Sequence, residues 1–94
     1  MTLSFTRQIR GWDLRRNVVN FLAEDDGEPD VPVACAISME ALIEHFGARD
    51  RSKQACLTAF DRWRTAIEQK AIEKYAAQSE KVPLPILLRK SDFD

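Results

Sequence analysis

Cys35 and His45 are the residues of this chain whose types could supply a nucleophile and a base. Their settings separate them. Cys35 lies in the alternating run Val31–Ile37, on the side with Val31, Val33 and Ile37. His45 stands beside Glu44, away from Met39, Leu42, Ile43 and Phe46, the apolar positions of a short helix. The two side chains therefore diverge, and they read as a buried thiol and a surface imidazole. With one histidine in the chain, neither a histidine-based metal site nor a Ser-His-Asp triad assembles. Cys35 and Cys56 show no C-x-x-C spacing, so they form neither a zinc ligand set nor a disulfide framework. They are expected to stay thiols in a reducing cytoplasm. Asp25, Asp26, Glu28 and Asp30 lack the alternation and terminal Glu of a calcium loop and read as a solvated hairpin loop. Gly11, Gly27 and Gly47, the three glycines, lie in no phosphate-cradling motif. No catalytic, cofactor-binding or metal-binding residue is assigned, no small-molecule substrate is expected, and the chain does not read as an enzyme.

Binding is the remaining class of activity. Arg7, Arg10, Arg15 and Arg16 surround Trp12, and Arg49, Arg51 and Lys53 precede a long helix. Arginine beside an exposed aromatic can hold phosphate and stack a base. A nucleic-acid reading therefore rests on Arg10, Trp12, Arg15 and Arg16. Against it stands a net charge of −1, since dedicated binders are usually clearly basic. Trp12 reads first as a core or anchoring residue.

The elements that must position these groups follow from the pattern. Asn17–Ala23 and Val31–Ile37 alternate as strands around an acidic Gly/Pro loop, Glu24–Asp30, and predict a β-hairpin. Pro32 removes a donor and points to a sheet edge or to the end of the ladder. Ser38 is placed to cap a helix carrying Met39, Leu42, Ile43 and Phe46, and Gly47 to end it. From about Ser52 to Ser79 no Gly or Pro occurs. A stripe of Cys56, Phe60, Trp63, Ile67 and Ala71 there predicts one long amphipathic helix. Leu84–Arg89 predicts a closing strand, with Pro85 favouring an edge, and Leu3–Phe5 a further short strand. The expected fold is α+β, order β-β-α-α-β. It comprises a small antiparallel sheet against one short and one long helix, in a single domain over residues 1–94.

The long helix carries the functional expectation. At about 26 residues it would reach about 39 Å, whereas a chain of this length folds to a diameter of roughly 32 Å. Beyond Ala71 the stripe runs into Lys70, Lys74 and Gln78, while Ile72, Tyr75 and Ala76 form a rotated patch. The second half should therefore project or meet something outside the main core. Ile72, Tyr75 and Ala76, rimmed by Lys70 and Lys74, are the expected contact surface of a homodimer or another protein. The competing expectation is that the closing strand folds back over Ile72 and Tyr75.

The chain resembles a family of short bacterial proteins known as domain of unknown function 1488. The likeness rests on Trp12-Asp13, Val19-x-Phe21, the Gly27 turn, Cys35-x-Ile37-Ser38-x-Glu40-Ala41-Leu42 and Phe46-Gly47. Phe60, Ile67, Glu68 and Asp92 follow in order. The acidic run is longer than the tight turn of that family, and Pro32 intrudes into the second strand. The resemblance implies a small α+β fold in the bacterial cytoplasm and brings no activity, cofactor or ligand.

Composition agrees with a folded chain. In 94 residues, 45% are hydrophobic and 31% charged, too apolar and too balanced for disorder. The longest uncharged run, Val31–Met39, is far shorter than the roughly 18 residues of a membrane span. Arg7, Arg10, Arg15 and Arg16 leave no apolar stretch for an export signal. The reading is a cytoplasmic interaction module, with no membrane partner.

Overall fold

A computed structural model describes residues 3–5, 10–25, 27–77 and 86–94, with backbone alone for 28–31. Its strands are β1 (Leu3–Ser4), β2 (Arg10–Asp13), β3 (Val18–Asp25), β4 (Glu28–Ser38) and β5 (Ile86–Leu88). Its helices are α1 (Met39–Phe46), α2 (Lys53–Arg62) and α3 (Arg64–Ala76), and a 3-10 turn at Lys90–Asp92 follows β5. The sheet order is β1-β3-β4-β5, with β2 also paired to β3.

The β3–β4 hairpin is the centre. Val19 faces Ile37, Phe21 faces Cys35 and Ala23 faces Val33, all buried on one side. A slip of one residue would turn this whole set to the opposite face, so burial dictates the register. The acidic run is shorter as a loop than expected. β3 and β4 stay paired to Asp25 and Glu28 around Gly27, and the surplus residues are absorbed by a register shift between Glu24 and Asp25.

β2 adds a hairpin that the sequence pattern did not suggest. Asp13 Oδ1 accepts from the backbone N–H groups of Arg15 (3.0 Å) and Arg16 (3.1 Å). Asn17 then takes the left-handed conformation, φ 55°, which asparagine tolerates better than most residues. Asp and Asn at these two places were the available signal. The short strand expected at Leu3–Phe5 is β1.

β5 lies at an edge as expected, but pairs parallel to β4 (Cys35 with Ile86, Ile37 with Leu88). The sheet is therefore mixed rather than antiparallel. The chain leaves β4, crosses through three helices and returns in the same direction, the connection that parallel strands require. Leu84 and Pro85 lie outside the described residues.

Local chemistry sets the helix ends. Ser38 Oγ accepts from Ala41 N (3.2 Å) at the start of α1, and Ser52 Oγ from Ala55 N (3.1 Å) at the start of α2. Gly47 closes α1 at φ 71°, ψ 25°, a conformation nearly free of cost only for glycine.

The long helix does not run straight through. At Trp63, with φ −108° and ψ 21°, it bends into α2 and α3. A straight helix of both segments would be about 36 Å long, and the whole molecule measures 37 × 26 × 24 Å. Both segments lie on the sheet. Cys56, Phe60, Ile67 and Ala71 are buried, with Phe21 against Phe60 (ring centroids 5.2 Å apart) at the centre. The distal half does not project: Ile72 and Tyr75 are half-buried against the same core. None of the described helices is long and apolar enough to cross a membrane.

Candidate functional site

A groove of about 800 Å³ opens where α1 ends, the joint 47–52 crosses, and α2 runs to its bend. Its apolar lining includes Phe46, Ala55, Ala59 and Trp63; its polar lining includes His45, Arg49, Asp50, Thr58 and Arg62. Trp63, expected in the core stripe, is 45% exposed. It falls on the flank of the buried face, and the bend turns it outward.

One wall is an aromatic stack. Phe46 meets Phe93 edge-on (5.0 Å, 90°) and Trp63 at 6.3 Å. His45 lies 5.8 Å from Phe93, and its Nε2 is 2.8 Å from Asp94 Oδ1. These contacts hold the C-terminal residues against α1. The guanidinium of Arg62 sits 5.9 Å from the Trp63 ring centroid, in cation–π range.

The other side of the groove is polar, with Arg49 and Arg62 in its lining and Arg51 and Lys53 nearby in sequence. Arg49, Arg51, Lys53 and Arg62 are exposed. Asp50 is the carboxylate among them. It accepts from the Ser52 backbone N–H (2.7 Å), and hydrogen bonding to Ser52 lowers its pKa below the ordinary carboxylate value. It stays ionised at neutral pH, in a lining that also carries Arg49 and Arg62. The joint's turn chemistry was legible in the sequence, but its approach to Trp63 and Phe46 was not.

The residues expected to form a dimer surface are mostly committed within the chain. Lys74 Nζ donates to the Leu87 carbonyl (2.6 Å) and to Asp92 Oδ2 (2.9 Å), clamping α3 to β5 and the 3-10 turn. Asp92 Oδ2 also accepts from Arg89 N (2.7 Å). Tyr75 Oη donates to Asp25 Oδ2 (2.5 Å). Lys70 lies 3.8 Å from Glu73 and 5.8 Å from the Phe93 ring. Ala76 is exposed.

The Arg/Trp group is dispersed. Arg10 makes a two-pronged pair with Asp61 on α2, Nε to Oδ1 at 2.9 Å and Nη2 to Oδ2 at 2.7 Å. Trp12 is half-buried against the core, and Arg15 and Arg16 occupy the exposed β2–β3 turn. Arg7 lies outside the described residues. Cys35 is buried, and desolvation pushes its thiol up to about 12. Cys56 is buried and raised for the same reason, and both are free thiols. Among the described residues no group of three His, Cys, Asp or Glu could hold a metal ion.

A mixed sheet, three helices gathered on one core and a strand returned by a helical crossover define a small α+β protein. The family model for a protein of unknown function, DUF1488, matches residues 3–88, and the chain belongs to that family. A crystal structure of a DUF1488 protein of unknown function from Shewanella loihica PV-4 is similar to it. The TM-score is 0.75 and the identity 22%, over 93% of this chain and 91% of that one. At that identity the likeness concerns the fold. Among curated proteins there is no match to the chain.

Proposed function

We propose that this protein is a non-enzymatic interaction module of the cytoplasm that self-associates through its long helix, with the contact centred on Trp63. The observation that carries this reading is a tryptophan left 45% exposed at the bend of that helix, in a groove it shares with Phe46 and Arg62. Tryptophan and arginine dominate binding energy at protein interfaces, because they bury large areas and pair in desolvated pockets. The expectation from sequence placed the contact at Ile72, Tyr75 and Ala76. The inward commitments of Tyr75 and Lys74 favour moving its centre to Trp63, with Ala76 retained at the margin. Two buried free thiols suit a reducing compartment.

The test is absolute molar mass by light scattering across a concentration series. A mass near twice 10.8 kDa for the native chain, reduced to the monomer by Trp63→Ala with the fold retained by circular dichroism, supports the reading. A native monomer at every concentration, or a Trp63→Ala dimer, overturns it. A salt-sensitive shift of a labelled single-stranded oligonucleotide, lost in the same variant, would replace it with the nucleic-acid reading.

A further inference from the structure

The groove has the size and the mixed lining of a small-molecule site. Its volume of about 800 Å³ falls within the roughly 300–1,000 Å³ of such sites, which join apolar walls to a few placed polar groups. Gln54, Thr58 and Arg62 recur at every fourth position of α2, with Ala55 and Ala59 beside them, so one helix face presents all five to the groove. The two alanines keep its floor low. The rings of Phe46 and Trp63, 6.3 Å apart, form the wall next to that floor. The charges of the lining are not all spent within the chain. Arg10 is committed to Asp61 and Arg64 to Glu68. Arg49 and Arg62, which line the groove, are hydrogen-bonded to no carboxylate among the described residues. Asp50 lines it too, with Oδ1 taken by the Ser52 N–H, and His45 is turned to Asp94. Two guanidinium groups against one carboxylate leave a single positive charge unmatched.

We infer that this groove binds a small aromatic monocarboxylate. The inference goes beyond the self-association reading and does not depend on it. A flat ring stacks on the exposed Trp63 and meets Phe46. The carboxylate accepts charge-assisted hydrogen bonds from Arg62 and Arg49, whose planar forks match its two oxygens. Arg62 already lies 5.9 Å from the Trp63 ring centroid, so one compact ligand reaches ring and charge together. A dianion would place its second charge beside Asp50 with no cation left to match it. A neutral ring would gain the stacking alone. Where the chain is dimeric, ligand and second copy compete for the same face of Trp63.

Naphthoate is the probe, titrated into the full chain and followed by amide and indole N–H shifts in nuclear magnetic resonance. The expected result is saturable shifts centred on Ala55, Thr58, Arg62 and the Trp63 indole. The dissociation constant should be on the order of 1 mM or below, as befits a ligand of this size. Naphthamide, the neutral counterpart of the same shape, should bind the native chain roughly tenfold more weakly. A variant carrying Arg49→Gln and Arg62→Gln should lose a similar factor for naphthoate. Ala55→Leu raises the floor with a good helix former and leaves Trp63, Arg49 and Arg62 in place, so it should abolish the shifts. If circular dichroism shows that Ala55→Leu disturbs α2, naphthamide and the arginine variant still carry the test. No saturable shift in the native chain, shifts centred away from the groove, or equal binding of naphthoate and naphthamide would each overturn the inference. Light scattering reads association separately. Naphthoate bound at the groove of a native monomer would support this inference and remove the self-association reading. A native dimer that Trp63→Ala breaks, and that binds no naphthoate, would leave that reading standing and overturn this one.

Discussion

Asp25 shows how a single acidic residue is made to fit a core. It is 6% exposed at the end of β3. Buried carboxylates are tolerated where donors replace water. Here Tyr75 Oη and the Gly27 N–H (2.7 Å) donate to its two oxygens. Tyr75 first, then Gly27, draws the pKa of Asp25 below its ordinary value. A lowered carboxylate stabilises the fold above its unfolded pKa of about 3.9. That contribution is lost as pH falls through the lower, folded value. Tyr75→Phe removes the larger cause. Its urea midpoint should fall below the native one at pH 7, and the gap should narrow as the medium is acidified below pH 4. A gap unchanged with pH would mean that Tyr75 acts only by packing. The sequence placed Tyr75 on a patch away from the main stripe. It could not pair it with Asp25, because the two are 50 positions apart and meet only once α3 is laid across the sheet.

Among the elements, α1 is the one most fully written in its own residues. Ser38 caps it, Met39 and Leu42 face the core, and Gly47 ends it, all as the local pattern predicts. Gly47→Ala should cost about 1–2 kcal/mol, the penalty of a left-handed conformation for a residue with a Cβ. No heavy atom lies where that Cβ would go, so urea unfolding should report backbone strain alone. A neutral result would mean that the joint reshapes itself around the change. The segment that follows, Lys53–Ala76, behaves differently. Its composition predicts helix throughout, and helix it is, but nothing in the run of residues marks Trp63 as the bend. The break is seen only in the folded chain, where α2 and α3 both pack on the common core.

Considered as a whole, the molecule depends on one cluster in which Phe21, Phe60, Ile37, Leu42, Ile67 and Leu88 are fully buried. A chain this small has a thin margin of stability, on the order of 5–14 kcal/mol. Phe60→Ala should remove about 3–5 kcal/mol of it. Phe60 touches Phe21 of the sheet, and the Arg64 guanidinium lies 5.2 Å from its ring centroid, so both layers lose their common contact. Thermal unfolding checks this; a melting temperature within a few degrees of the native chain would show that the site collapses and refills. The same compactness explains the clamp at Lys74. Its ammonium fills the carbonyl of Leu87 on the short edge strand and is neutralised by Asp92, which binds the returning strand to the helix above it.

Local order was legible in the sequence because it depends on neighbours in the chain. The β3 and β4 alternation, the Ser38 cap, the Gly47 stop and the start at Ser52 each involve residues a few positions apart. The α+β class followed from their order, and the family motifs from residues kept in the same sequence. Tertiary structure decided what depends on distant residues meeting: the parallel docking of β5, the extra hairpin strand Arg10–Asp13, the bend at Trp63 and the inward turn of Tyr75 and Lys74. The groove belongs with these. Phe46 and Trp63 lie 17 positions apart, and whether a tryptophan on the flank of an apolar stripe is covered or left open is settled only when the helices pack on the sheet.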